Sequence, residues 1–284
     1  MPNKGKNDVS KKPAQGSGAV PKALNRYALM IEKVFFNHYQ SRSDSFEFLR
    51  SELEVIAAEL GIELPKNVGD LIYSFRYRND LPASILATAK DGLEWTIEGA
   101  GRSKYRFRLV KLNRVIPREE LITIKVPDAT PEIIGAHALG DEQALLAKVR
   151  YNRLIDIFLG ITAYSLQNHL RTTVKGIGQI EIDEVYLGID RHGRQFVIPV
   201  QAKGGADKHG VVQTQQDVAF CQQSFKHLLC RPVSAQFMSD DRIAMFELTV
   251  VDGSIKVVAE RHYQLVKSSA ISPEELLSYS NYAD

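Results

Sequence analysis

Three side chains between residues 178 and 203 have the types and spacing to hold a divalent metal beside a water: the acid Asp183, the amide Gln201 and the lysine Lys203. A carboxylate oxygen is a natural ligand for Mg²⁺, which takes only one or two protein carboxylates together with waters and phosphate oxygens. The ion can polarise a phosphoryl group, and a lysine beside it can orient the bound water. The main-chain carbonyl of Ala202 can serve as a further ligand. This set is the minimum equipment for phosphodiester hydrolysis.

The sequence predicts a β-hairpin that brings these residues together. QIEIDEVYLGID alternates apolar and polar residues, which is typical of a half-buried strand and places Glu181 and Asp183 on one face. The other face is predicted to carry Ile180, Ile182 and Glu184. DRHG, residues 190–193, has the composition of a tight turn, and QFVIPVQAK returns with Gln201 and Lys203 on one face. Because paired strands lie about 5 Å apart, the hairpin can place that face beside Asp183.

At these residues the chain resembles the PD-(D/E)XK nuclease superfamily, and within it type II restriction endonucleases. Asp183 and Gln201-Ala202-Lys203 match the family's motif in order and strand placement, and IEIDEV selects Asp183 over Glu184 as the principal ligand. The resemblance implies that Asp183, Gln201 and Ala202 hold Mg²⁺ and that Lys203 orients the attacking water. No proline precedes Asp183, and the triplet begins with Gln201 where the family has an acid. Metal affinity is then weaker, or another acid substitutes.

Two neighbouring segments supply further candidates. VVQTQQDVAFCQQSF predicts a helix on which Gln213 or Gln216 points back into the site, as in the family, or belongs to a solvated face. A long helical pattern is predicted from Asp141, as N-cap, through residue 174. Within it Glu142 is a candidate catalytic acid, although complementing the helix dipole is the preferred interpretation. We expect the polar residues near its end to meet the DNA backbone or support the site: Gln167, Asn168, His169 and Arg171.

A basic segment upstream predicts a DNA-binding surface. In strand geometry one face of GRSKYRFRLV carries basic side chains, as expected of a surface that follows phosphates, while Tyr105 and Phe107 lie on the other. Two predicted helices precede this hairpin, which is the order of a winged helix-turn-helix, and the second helix would enter the major groove. The DNA-binding candidates are Arg76, Arg78, Asn79, Arg102, Lys104, Arg106, Arg108 and, in the loop GGADKHG, Lys208. The alternative is a basic strand that only aids solubility.

Composition and charge indicate how the chain is divided into segments and domains. The 284 residues carry a net charge of only +2, so no global field draws the chain onto nucleic acid. We expect a disordered basic arm at residues 1–22, a winged-helix-like domain at 23–125, a linker at 121–135 and a catalytic domain at 126–284. No signal-peptide core or membrane-spanning run is found, and the two cysteines suggest no disulfide framework, so we expect a cytoplasmic protein.

These features predict an α/β (α+β) protein with a restriction-endonuclease-like mixed sheet flanked by helices. The expected function is Mg²⁺-dependent, site-specific cleavage of double-stranded DNA that leaves 5′-phosphate ends, as the resemblance implies. Because cutting both strands needs two sites, a homodimer is expected, and a cognate DNA methyltransferase is implied by the resemblance alone. A DNA repair or structure-specific nuclease of the same fold remains an alternative, as does a non-catalytic DNA-binding protein. No phosphate-binding loop motif is present, so ATP is not expected.

Overall fold

The computed structural model describes residues 22–41, 43–77, 79–90, 92–111, 114–137, 142–204 and 209–279. The expected basic arm up to residue 21 lies outside these ranges, as do the predicted N-cap Asp141 and the DNA-binding candidates Arg78 and Lys208. Across the described residues the protein is mixed α/β, with a largely antiparallel mixed sheet flanked by helices. This agrees with the α+β class expected from the sequence.

The described N-terminal part contains four helices and a three-stranded antiparallel sheet of order β1-β3-β2. The elements are α1 (Lys22–His38), β1 (Ser45–Leu49), α2 (Arg50–Leu60), α3 (Val68–Tyr77), α4 (Ala83–Leu86), β2 (Leu93–Gly101) and β3 (Lys104–Lys111). An aromatic core holds them together, in which Phe35 packs edge-to-face against both Trp95 and Phe107 within one buried cluster. Gly61 ends α2 in the left-handed conformation, with φ of 63°. The predicted helix end near Gly61 and the predicted hairpin are confirmed.

The rest of the described chain forms a large sheet with helices on both faces. Its strands run in the order β5-β13-β12-β11-β8-β7-β6, with β10 beside β8, and β4 pairs separately with β9. These strands are β4 (Arg114–Val115), β5 (Thr123–Pro127), β6 (Thr162–Val174), β7 (Gly178–Ile189), β8 (Gln195–Lys203), β9 (His209–Gly210), β10 (Leu229–Cys230), β11 (Val233–Phe237), β12 (Arg242–Val251) and β13 (Ser254–Val266). The helices are α5 (Glu132–His137), α6 (Glu142–Tyr151), α7 (Leu154–Leu159), α8 (Val211–Ser224) and α9 (Pro273–Tyr279). Short 3₁₀ turns lie at Ser239–Asp241 and Ser268–Ala270.

Three antiparallel strands, β6, β7 and β8, are followed by the crossover helix α8 and by β11, which runs parallel to β8. Strand β8 is buried on both faces. Ile198 and Val200 pack under α6 and α7, whereas Val197 packs with Phe220 and the α8 side of the sheet. This two-sided burial explains the continuous apolar run that predicted β8, and the predicted strands β7 and β8 and helix α8 are confirmed.

Two predicted elements are wrong. The helical pattern does not continue to residue 174: Gly160 ends α7 with φ of 63°, and Thr162–Val174 then forms the edge strand β6. The linker predicted at residues 121–135 contains β5, which pairs in parallel with β13 from Thr123↔His262 to Pro127↔Val266. The expected boundary between residues 125 and 126 therefore falls inside a strand of the large sheet.

The N-terminal part packs against the large sheet through β2 and β3. A Cβ at Gly99 would lie 2.2 Å from the carbonyl oxygen of Ile177, so the β2 backbone touches the β6–β7 turn directly. Arg108 of β3 donates to Gln215 of α8 at 2.8 Å, and Val110 packs against the start of the same helix. Within the described ranges no helix is long and apolar enough to cross a membrane.

Candidate active site

The predicted site lies where β7 and β8 separate. Their cross-strand pairing ends at Glu184↔Val200, and beyond it β8 pairs only with β11. In the gap, Oδ2 of Asp183 accepts a hydrogen bond from the main-chain N–H of Ala202 at 2.8 Å. Asp183 is thereby fixed on the backbone of the triplet that carries Gln201 and Lys203. The structure thus brings these three predicted site residues into one place.

Lys203 reaches the start of α6. Its side chain is only 10% exposed, and Nζ lies 3.5 Å from Oε1 of Glu142. Burial raises the pKa of Asp183 and of Asp217, and the positive charge of Lys203 opposes both shifts, which places it electrostatically among the acids of the site. Glu142 is in the first turn of its helix, so it complements the helix dipole and pairs with the predicted catalytic lysine at the same time. The position of Glu142 is therefore compatible both with complementing the helix dipole and with a place in the candidate site.

Gln201 is buried and hydrogen-bonds an acid, Asp217, that the sequence motif does not include. Its Nε2 donates to Oδ1 and Oδ2 of Asp217 at 3.1 and 3.2 Å, and to the carbonyl oxygen of Glu181 at 3.1 Å. Asp217 lies on α8 and is itself buried. A sequence signal existed, because Asp217 precedes the apolar residues Phe220 and Cys221 by three and four positions and therefore shares their helix face.

Both acids of the site resist ionisation. Burial raises the pKa of Asp183, the charge of Glu181 adds to this, and Lys203 and the Ala202 N–H oppose it. Burial also raises the pKa of Asp217 well above its ordinary value, and the charge of Asp183 raises it further, against the opposing effects of Gln201 and Lys203. Because the charge of Asp183 disfavours ionisation of the buried Asp217, an added cation would stabilise this pair of acids.

His209 is a buried, neutral imidazole that feels the charge of Lys203. Complete burial, followed by the charge of Lys203, lowers the pKa of His209 to about 3. Its Nε2 lies 2.6 Å from Oγ1 of Thr214, which ties β9 to α8. The side chain therefore adds no charge to the site and fixes the helix that carries Asp217.

The glutamines proposed on α8 have different positions. Gln216 is buried and Gln213 is half-buried, but the α8 side chain that hydrogen-bonds Gln201 is Asp217. Gln215 faces the N-terminal part instead, accepting from Arg108 and donating to the carbonyl oxygen of Gly253 at 2.6 Å.

Glu184 is engaged on the other side of the sheet. It accepts from Arg150 of α6 at 2.8 and 2.9 Å and from Ser165, and its side chain is fully buried. The prediction that Glu184 shares a face with Ile182 is wrong. Ile182 and Val185 lie in one apolar cluster although they are three residues apart, so the strict alternation of β7 breaks between them. Glu184 is therefore engaged with α6, whereas the partly buried Asp183 is the acid that contacts the triplet at Ala202.

Acidic side chains of the neighbouring strands pair with the basic side chains predicted on one face of β3. Lys104 and Arg106 both pair with Glu47 of β1, and Arg108 pairs with Glu98 of β2. Arg102 is exposed in the turn between β2 and β3, not on a strand as predicted. On α3, Arg76 is half-buried, and the side chain of Asn79 donates to Ser74 near the helix end.

Within the described ranges, no group of three or more histidine, cysteine or acidic side chains has the arrangement of a metal cage. The donor set around Asp183 is smaller: two carboxylates, one amide and a main-chain carbonyl. Comparison with known proteins adds nothing further: no protein-family model, no curated protein and no solved structure matches the chain.

Proposed function

We propose that this protein is a Mg²⁺-dependent endonuclease that cuts double-stranded DNA at specific sites, as type II restriction enzymes do. One observation carries the proposal. Asp183 is anchored on the N–H of Ala202 where β7 and β8 separate, with Lys203 beside it and Asp217 supplying the acid that the triplet lacks. The succession of α6 and α7, three antiparallel strands, α8 and a parallel strand supports a restriction-endonuclease-like core.

The donor set fits a hard divalent cation. Asp183 and Asp217 would hold Mg²⁺ together with the Ala202 carbonyl, and Gln201 would orient Asp217 through its amide. The metal would polarise the phosphoryl group and lower the pKa of a bound water. Lys203 would orient that water and stabilise charge on the phosphate, with Glu142 fixing the lysine. Attack of water at phosphorus would break the bond between phosphorus and the 3′ oxygen. The 3′ oxygen would take up a proton, which leaves 5′-phosphate and 3′-hydroxyl ends.

The N-terminal part supplies a candidate DNA-recognition module. Helices α2 and α3, followed by the β2–β3 hairpin and closed by β1, support a winged-helix arrangement. Its basic residues would contact phosphates. Lys104 and Arg106 would then exchange their ion pairs with Glu47 for contacts with the DNA. A homodimer would place one site on each DNA strand, and a cognate methyltransferase would protect the host DNA in the same cytoplasm.

Incubation with unmethylated phage DNA, with and without Mg²⁺, tests the proposal. Wild-type protein should give discrete fragments only with Mg²⁺, and Lys203→Ala should slow cutting by at least about a hundredfold. Lys226→Ala, an exposed lysine on the loop after α8, is the matched control and should cut as wild type does. Cutting by Lys203→Ala at the wild-type rate would refute the assignment.

The presence of Gln201 in place of an acid supports a second candidate, a DNA-binding protein on an inactive nuclease fold. It predicts binding to duplex DNA without cleavage in either Mg²⁺ or Mn²⁺. Fragments with undefined ends, or a preference for branched over linear DNA, would instead favour a repair or structure-specific nuclease.

A further inference from the structure

The edge strand β6 presents two basic side chains beside the site. Arg171 lies directly opposite Glu181 of β7, and the pairs Asn168↔Glu184 and Leu170↔Ile182 flank His169, so that His169 is opposite Asp183. The side chains of His169 and Arg171 are 51% and 69% exposed. They are therefore open to a ligand that approaches Asp183 from the edge of the sheet.

One carboxylate aligns both basic groups. Oε1 of Glu181 lies 3.3 Å from Nη2 of Arg171 and 3.9 Å from Nδ1 of His169. Glu181 is itself only 33% exposed and is two residues from Asp183. Burial raises the pKa of Asp183 and the charge of Glu181 adds to this rise, whereas the charge of His169 opposes it. Glu181 thus acts as a positioning residue for a basic pair along one side of the site.

The backbone of β6 is irregular at this point. The register shifts between Ser165 and Gln167, and His169 has φ of 47°, a left-handed conformation that residues with a Cβ disfavour. Charged residues and bulges also protect sheet edges from pairing with other chains. Edge protection requires only charge, however, and does not require a strained residue directly opposite the candidate metal ligand.

We infer that His169 and Arg171, held by Glu181, form a phosphate-binding subsite for the DNA strand that is cut, next to the phosphate at Asp183. This inference rests on the proposed function and extends it. Arg171 supplies a fixed positive charge and planar donors for phosphate oxygens. His169 supplies a ring N–H at the position nearest Asp183. The subsite orients the strand so that the scissile phosphate meets the metal and Lys203.

Two variants with a matched control test the subsite. Arg171→Gln removes the charge, and His169→Asn removes the ring while keeping a residue that tolerates positive φ. The control is the pair Arg191→Gln and His192→Asn, which has the same residue types in the turn at the opposite end of β7 and β8. Binding to a short duplex from the phage DNA is measured against salt concentration in EDTA, and cleavage is measured in Mg²⁺ with enzyme in excess.

Arg171→Gln should reduce the slope of log K against log salt by about 1, as expected for one lost phosphate contact. His169→Asn should slow cleavage roughly ten- to hundredfold with folding intact. The control pair should leave both quantities unchanged. If wild type cuts DNA and both variants bind and cut as it does, the subsite is refuted while the nuclease proposal stands. If Arg171→Gln shows the expected change of slope relative to wild type but wild type never cuts, the subsite stands and the nuclease proposal fails. Absence of DNA binding by wild type would refute both.

Discussion

The side-chain amide of Gln201 donates to both carboxylate oxygens of Asp217, at 3.1 and 3.2 Å. This contact explains how a neutral residue can occupy the position where the resemblance leads one to expect an acid. In the proposed site the acid is supplied from α8, and the amide of Gln201 holds the carboxylate of Asp217 in place. Because burial raises the pKa of Asp217 and the charge of Asp183 raises it further, the site without a cation holds charge at a cost to stability.

Asp217→Asn should therefore stabilise the protein while abolishing cleavage. A carboxyl whose pKa is raised in the folded state binds its proton more tightly there, so stability falls as pH rises from the unfolded-state pKa toward the folded one. The variant lacks this loss. We expect its free energy of unfolding in EDTA to exceed that of wild type at pH 7 by on the order of 1 kcal/mol, and to match it near pH 3. Urea denaturation at several pH values measures the difference.

Asp190→Asn is the control with the opposite sign. Although burial opposes it, hydrogen bonds from Arg194 and His192 hold the pKa of Asp190 below its ordinary value. Its contribution to stability is present above the unfolded-state pKa and is lost as pH falls, so this variant should be less stable than wild type at pH 7. A gain in stability for both variants, or for neither, would contradict the account of Asp217.

Gln201→Glu should increase the stabilisation of the protein by Mg²⁺ and should lower its stability in the absence of metal. The substitution places a second carboxylate against Asp217 and removes the amide donor, which should cost about 1–3 kcal/mol in EDTA. A cation bound to the folded state alone stabilises it by an amount that grows with affinity. The rise in Tm on adding Mg²⁺ should thus be larger for Gln201→Glu than for wild type and absent for Asp217→Asn. Equal Mg²⁺ shifts in all three proteins would show that the metal binds elsewhere.

The sequence was sufficient to predict the hairpin of β7 and β8 and the helix α8 because each has a clear local pattern. The sequence of β7 alternates polar and apolar residues from Gln179 to Asp183, β8 has a continuous apolar run, and the turn between them has characteristic residues. The proximity of Asp183 to the triplet that contains Lys203 could be predicted because both lie within this one hairpin. The predictions that succeeded depended on neighbours in sequence.

The features that the sequence could not predict depend on partners distant in sequence. Strand β6 is an edge strand exposed over most of its length, so no buried face imposes a period of two and the helical pattern upstream was extended into it. The acid Glu47, which pairs with Lys104 and Arg106, is on β1 and becomes their neighbour only through the sheet order β1-β3-β2. Asp217 meets Gln201 through the packing of a helix on a strand, which no local pattern specifies.

Glu184→Gln tests the assignment of the two adjacent acids of β7. Glu184 accepts two hydrogen bonds from Arg150 and is fully buried, so loss of its charge should reduce the free energy of unfolding by about 1–3 kcal/mol. Cleavage by the folded protein should persist, because the partner of Glu184 is Arg150 and not one of the proposed site residues. Asp183→Asn should show the reverse, with little loss of stability and no cleavage. Loss of cleavage in folded Glu184→Gln would mean that the principal ligand has been misassigned.

Gly99→Ala tests the junction between the N-terminal part and the large sheet. The added methyl group would meet the carbonyl oxygen of Ile177 at 2.2 Å, so β2 or the β6–β7 turn must shift. Overpacking of this kind should cost about 1–3 kcal/mol in urea denaturation. Gly135→Ala in α5 is the control, since a methyl group there meets nothing within 4 Å and alanine favours the helix. Because the β6–β7 turn leads directly into the strand that carries Glu181 and Asp183, Gly99→Ala should also slow DNA cleavage, whereas Gly135→Ala should not. Unchanged stability and cleavage in Gly99→Ala would mean that the two parts do not depend on this contact.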